Sequence, residues 1–189
     1  MLEVSVKKGF TLAEVLVTIG VIGVVAALTI PTLSANYQKR VLTTQLQKAY
    51  AELSQAGAMA LADEMGGDFH QLKTWKDGSF LEKFLKADDS ASFADSYGMY
   101  NCSDCGENKF SEMLSGGNYH CGKLKSGASV CISERWNTVL LDVNSNKGPN
   151  LEGRDMFATG YGKDGTIGEY DHYLRSIVRA DWDIDKAHD

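Results

Sequence analysis

The 189-residue chain has no run of lysine or arginine long enough to track a phosphate backbone, and 25 acidic against 19 basic residues leave a net charge of −6. A direct nucleic-acid ligand is not expected on charge grounds. Its four histidines, His70, His120, His172 and His188, are scattered without HExxH or HxxxH spacing, and no G-x-S-x-G elbow occurs. No catalytic constellation follows, and the chain is not expected to be an enzyme. Internal repeats and low-complexity tracts are missing too, so one globular domain with a surplus of a few dozen residues is the expectation.

Charge is scarcest from Leu12 to Ile30, where Glu14 is the only ionisable side chain. Counted from Phe10 this stretch rises about 31 Å as a helix, close to the hydrocarbon thickness of a bilayer. It reads as a membrane segment. Residues 1–9, MLEVSVKKG, are too polar to belong to it and read as a leader, with Lys7 and Lys8 holding that end in the cytoplasm. The domain that follows then faces outward. An ordinary secretory signal places a small-residue cleavage site after its apolar stretch. Here Ala26-Ala27 runs into Leu28-Thr29-Ile30-Pro31 without an A-x-A site, and the small residue at the sharp polar-to-apolar border is Gly9.

Beyond Pro31 the pattern becomes amphipathic. Leu42, Leu46, Ala49, Tyr50, Leu53, Ala56, Ala60 and Leu61 recur at steps of three and four, with Lys39, Arg40, Gln45, Gln47, Lys48, Glu52 and Gln55 between them. One helix is predicted from about Phe10 to Glu64, stopped by Gly66-Gly67. Pro31 removes a backbone donor, and Gly20 and Gly23 each cost about 1 kcal/mol against alanine, so a kink or loosened stretch is predicted between Gly23 and Pro31. The remainder, 66–189, is a head. Ser79 with Glu82 predicts a capping box opening a short helix, and Asn108 to Leu114 predicts another. Strand signals cover Ala128–Ser133, Thr138–Val143 and Met156–Tyr161, with Lys163-Asp164-Gly165-Thr166 a hairpin turn before Ile167. The layout is α+β: a long helix, small helices and loops, then an antiparallel sheet. Asp181-Trp-Asp183-Ile-Asp185 reads as a solvated tail.

Cys102, Cys105, Cys121 and Cys131 all lie in the outward part, where an even cysteine count reads as two disulfides. Cys102-Ser-Asp-Cys105 by itself would suit zinc in a reducing compartment. The second half of such a site lacks its CxxC, because Cys121 and Cys131 are ten apart. All three disulfide pairings stay open.

Gly9-Phe10-Thr11-Leu12-Ala13-Glu14-Val15-Leu16, preceded by Lys7-Lys8 and followed by an apolar run that reaches Pro31, resembles the cleavage and methylation signature of type IV pilins and type II secretion pseudopilins. A weaker similarity to pseudopilin-like proteins covers Leu141-Asp142-Val143-Asn144, Lys147-Gly148-Pro149-Asn150 and Gly153-Arg154-Asp155-Met156-Phe157. The resemblance implies the type IV pilin fold and four segments: leader 1–9, filament-core helix 10–31, amphipathic continuation 32–65 and head 66–189. A membrane-embedded prepilin peptidase would cut between Gly9 and Phe10 and methylate the new Phe10 amine. Glu14 would pair with that amine on a neighbouring subunit, against the alternative of an interfacial carboxylate that reaches water by itself. The Gly23 to Pro31 stretch would unwind in the filament. The implied partners are copies of the chain or related pilins, the inner-membrane assembly platform, and lipid before assembly.

The implied location is the bacterial inner membrane, with the head outside the cytoplasm, and afterwards a periplasmic or cell-surface filament. Two other readings stand beside the structural subunit: a minor pilin acting as adhesin or DNA-uptake module, and an exported enzyme with an unusual signal. Some pseudopilins hold calcium in a loop beside the sheet, and Asp142, Asn144, Asn146 and Asp155 offer oxygen ligands in a comparable place. The EF-hand pattern is excluded, since its sixth and twelfth positions fall on Lys147 and Gly153. The competing reading is an Asx-rich turn whose exit Pro149 fixes.

Overall fold

In the computed structural model the residues described are 9–88, 119–145, 147, 153–168 and 172–182. The chain divides into two units, Met1–Arg40 and Val41–Asp189. Helix α1, Leu12–Asp63, contributes to both.

In the first unit α1 is helical through Gly23 and Pro31. Thr18, Thr29 and Thr32 turn their hydroxyls onto the carbonyls of Val15, Val25 and Thr29 at 2.8, 2.9 and 2.9 Å. These hydroxyls are thereby absorbed into the helix itself, and the surface left outside from Val15 to Leu33 is apolar.

In the second unit α1 buries Leu42, Leu46, Ala49, Leu53, Ala56, Gly57 and Ala60, the face that the three-and-four spacing marked. After it come a 3-10 turn at Phe69–Gln71, the short helix α2 at Lys73–Lys76, and a π-helical turn at Leu81–Leu85. Five strands follow: β1 His120–Lys123, β2 Ser129–Ser133, β3 Thr138–Asp142, β4 Met156–Tyr161 and β5 Ile167–Gly168. They form an antiparallel meander in chain order, with pairs such as Cys131 opposite Leu140 and Leu140 opposite Ala158. Helix α3, His172–Arg179, closes the described chain. The α+β expectation and the pilin-type arrangement of long helix and antiparallel sheet are what the structure has.

One sheet face, with Val130, Ile132, Val139, Leu141, Phe157 and Tyr161, joins the core built on α1. Cys131, Leu140 and Met156 make a smaller cluster with Tyr119, Cys121 and Ala158 against it. Four aromatic rings lock the end of β4: Phe69 stacks on Tyr161 with centroids 4.3 Å apart, and Trp75 and Phe80 pack edge-on around them. The Tyr161 hydroxyl donates to the Leu53 carbonyl of α1 at 2.8 Å.

Two expectations for the head need correction. Ser79 caps no helix, because its backbone N–H and its hydroxyl both donate to Asp77 Oδ1, at 3.0 and 2.5 Å. Trp182, within the stretch expected to be a solvated tail, instead packs edge-on against Tyr50, 5.3 Å between centroids. Strand β1 and helix α3 were not expected. His-Cys-Gly-Lys carries no clear alternation, and in the octamer of α3 the apolar steps Leu174, Ile177 and Val178 cover little more than one turn, too short a stretch to stand out. The helix expected at Asn108–Leu114 lies outside the described residues.

Candidate functional site

The N-terminal site begins where the helix does. Gly9, Phe10 and Thr11 precede α1, and Phe10 is 91% exposed. Glu14 sits in the first turn. Its backbone N–H donates to Thr11 Oγ1 at 3.2 Å, while Thr11 N–H and Oγ1–H both donate to Glu14 Oε2 at 2.8 Å. This reciprocal pair is a capping box. It stops the helix at Thr11, two residues after Gly9, and places one carboxylate at the positive end of the helix dipole. The T-x-x-E spacing was present in the sequence, but neither role expected of Glu14, intersubunit partner or interfacial carboxylate, used it.

From this cap to Arg40 every described residue except Ala26 is exposed, including Leu12, Val17, Ile22, Val24, Leu28 and Leu33. A contiguous apolar surface of this length marks a partner or a membrane. The helix is long and apolar enough to cross a bilayer. A Cβ added at Gly20 or Gly23 would meet nothing within 4 Å, so both positions leave room for another backbone.

The first unit is thus a bare apolar helix with a capped acidic first turn, and the second a folded head. Residues 5–30 match the family model of the prokaryotic N-terminal methylation motif. The chain therefore carries the prepilin-type signal of type IV pilins and pseudopilins. No curated protein and no solved structure matches the chain.

A second cluster lies at the far end of β3. Asp142 and Asp155 are both fully buried. The Asn144 backbone N–H donates to Asp142 Oδ1 at 3.2 Å and its side-chain amide donates to Asp155 Oδ2 at 3.1 Å. Among the described residues Asp142 Oδ2 and Asn144 Oδ1 have no hydrogen-bond partner, although both atoms are buried. Burial pushes the Asp142 carboxyl up to about 7, the Asp155 carboxylate adding to the rise against the N–H groups of Asn144 and Ser145. Two carboxylates and an amide oxygen are hard donors of the kind calcium takes, and two of those oxygens have no partner among the described residues. Of the four residues expected here, Asp142, Asn144 and Asp155 come together; Asn146 lies outside the described residues.

Cys121 and Cys131 face each other across β1 and β2 and form a disulfide, S–S 2.06 Å. Cys102 and Cys105 lie outside the described residues. Glu64, missed by sequence reasoning, ties the end of α1 to α2: Lys73 N–H donates to Oε2 at 2.6 Å, and Thr74 N–H and its hydroxyl donate to Oε1.

Proposed function

We propose that the chain is a structural subunit, pilin or pseudopilin, of a type IV pilus or type II secretion filament, processed by prepilin peptidase and assembled through α1. The observation that carries this reading is the methylation motif at residues 5–30 together with a helix from Leu12 and apolar side chains exposed from Phe10 to Leu33. Cleavage between Gly9 and Phe10 leaves a charged amine one residue before the capping box. In the membrane-resident subunit the cap satisfies Glu14 locally, which lowers the cost of holding a carboxylate at that depth. In the filament the same carboxylate neutralises the Phe10 amine of a neighbour. The subunit does mechanical work by packing and has no turnover of its own.

Within the head, Asp142, Asn144 and Asp155 would hold a calcium ion. The ion would supply positive charge between two buried carboxylates and so pin the link between β3 and β4.

The test follows the order of events. The intact mass of the membrane-bound protein should be that of a chain beginning at N-methyl-Phe10, and a species retaining residues 1–9 in cells with active peptidase would remove the central claim. Glu14→Ala should be processed to the same N-methyl-Phe10 terminus yet appear in sheared filaments at least about tenfold less than wild type, since an uncompensated buried amine costs more than about 1.4 kcal/mol. Equal incorporation would make the carboxylate merely interfacial.

A further inference from the structure

On the second unit, a groove of about 280 Å³ opens beside α1. Its apolar lining is Met59, Phe84 and Leu85, and the exposed Lys86 and Lys125 add two positive charges. Glu52, also on its wall, accepts a hydrogen bond from Ser126 at 3.1 Å. At about 3.6 residues per turn, Glu52, Gln55 and Met59 lie on one side of the buried stripe of Leu46, Leu53 and Ala60, and Tyr50 lies on the other. Tyr50 is where Trp182 packs. The chain therefore leaves α3 on the flank of α1 opposite the groove, and the residues that follow Trp182 are Asp183-Ile184-Asp185.

We propose that Asp183-Ile184-Asp185 of one copy seats in this groove on the next copy, the isoleucine against Met59, Phe84 and Leu85 and the two carboxylates against Lys86 and Lys125. An acid-apolar-acid triplet answers an apolar groove bearing two lysines. The subunit's own groove is out of reach: Ile184 is two residues past Trp182, a span of at most about 7 Å, while the intervening helix with its side chains is about 10 to 12 Å across. Donor and acceptor on opposite flanks make the contact heterologous, the kind that propagates as an open helical array rather than closing as a two-fold dimer. This inference rests on the filament reading and adds to it a head-to-head contact independent of the N-terminal helix.

The experiment uses full-length chains in their native membrane with a photo-reactive phenylalanine analogue in place of Gln55, and a second copy distinguished by an epitope tag. Irradiation should give an intersubunit adduct that peptide mapping assigns to residues 183–189. D183K/D185K and K86E/K125E should each lower its yield by roughly five- to tenfold, the effect of turning two exposed ion pairs into repulsions. Both pairs of changes in one chain should restore the yield to within about twofold, which a misfolded head would not do. An adduct confined to one chain, an adduct to another protein, or a yield indifferent to the reversals would overturn the docking. A matched probe at Leu16 separates the two readings: dimers at Leu16 without the tail adduct sink the docking alone, and no dimers at either position sink the filament and the docking together.

Discussion

Asp142 bears its carboxyl in a place where ionisation is expensive. The ordinary value of 3.8 rises to about 7 in the folded head through burial, with Asp155 contributing. Between those two values the folded state keeps a proton that the unfolded chain has released. The stability contributed is therefore fully present below about pH 4 and is lost as pH rises through 7, about 2 to 4 kcal/mol in all. Asp142→Asn, which removes the charge and keeps the shape, should flatten that decline. Calcium should raise the melting temperature of the parent head at pH 8 and leave Asp142→Asn unmoved. Urea melts at pH 5 and pH 8, each with calcium and with chelator, check both statements. A parent head as stable at pH 8 as at pH 5 would show that the carboxyl ionises at no cost, and equal calcium responses would remove the cation site.

Among the secondary elements, α1 and the β4–β5 hairpin meet backbone to backbone. A Cβ on Gly57 would stand 2.1 Å from the Gly165 carbonyl oxygen, and Gly165 itself has φ +72° in the hairpin turn. Asp164 Oδ1 shapes that turn by accepting from the Thr166 N–H and hydroxyl at 3.1 and 2.6 Å. Gly57→Ala should improve helix propensity yet destabilise the head by about 2 kcal/mol or more, because helix and turn must separate. Gly67→Ala, where an added Cβ meets nothing within 4 Å, is the control and should lose little. Denaturant midpoints of the two variants decide the matter, and equal midpoints would show that the contact yields freely. The long helix and strands β2 to β4 were legible because their apolar spacing runs unbroken for many residues. Strand β1 was not legible, since four residues with one glycine and one cysteine show no period.

For the whole molecule, the Cys121–Cys131 bridge is the covalent staple among the described residues. It spans ten residues and joins neighbouring strands, so its contribution should be about 2 to 3 kcal/mol, chiefly by restricting the unfolded chain. Replacing both cysteines with alanine should lower the head's melting temperature while the helical signal of α1 persists, since Cys121 and Cys131 belong to the smaller cluster and not to the core built on that helix. Circular dichroism at helical and near-ultraviolet wavelengths separates the two effects. Simultaneous loss of both signals would mean that the bridge also supports the helix. Thiol labelling of native protein without reductant should leave Cys121 and Cys131 unmodified.

Local order along the chain was enough to mark the methylation motif at residues 5–30, the apolar helix, its amphipathic continuation, the α+β order and the turn at Lys163–Thr166. Each depends on spacing between near neighbours, and spacing is written in one dimension. Tertiary structure decided what distance along the chain conceals. It paired Cys121 with Cys131 out of three pairings, because β1 and β2 place them opposite each other. It brought Asp142 and Asp155 into one buried cluster from 13 positions apart, and set Tyr161 against Leu53 across 108 residues. It also withdrew Ser79 from helix capping and Trp182 from solvent. Those outcomes follow from competition for partners in three dimensions, where the group that wins a hydrogen bond or a packing site is the nearest in space.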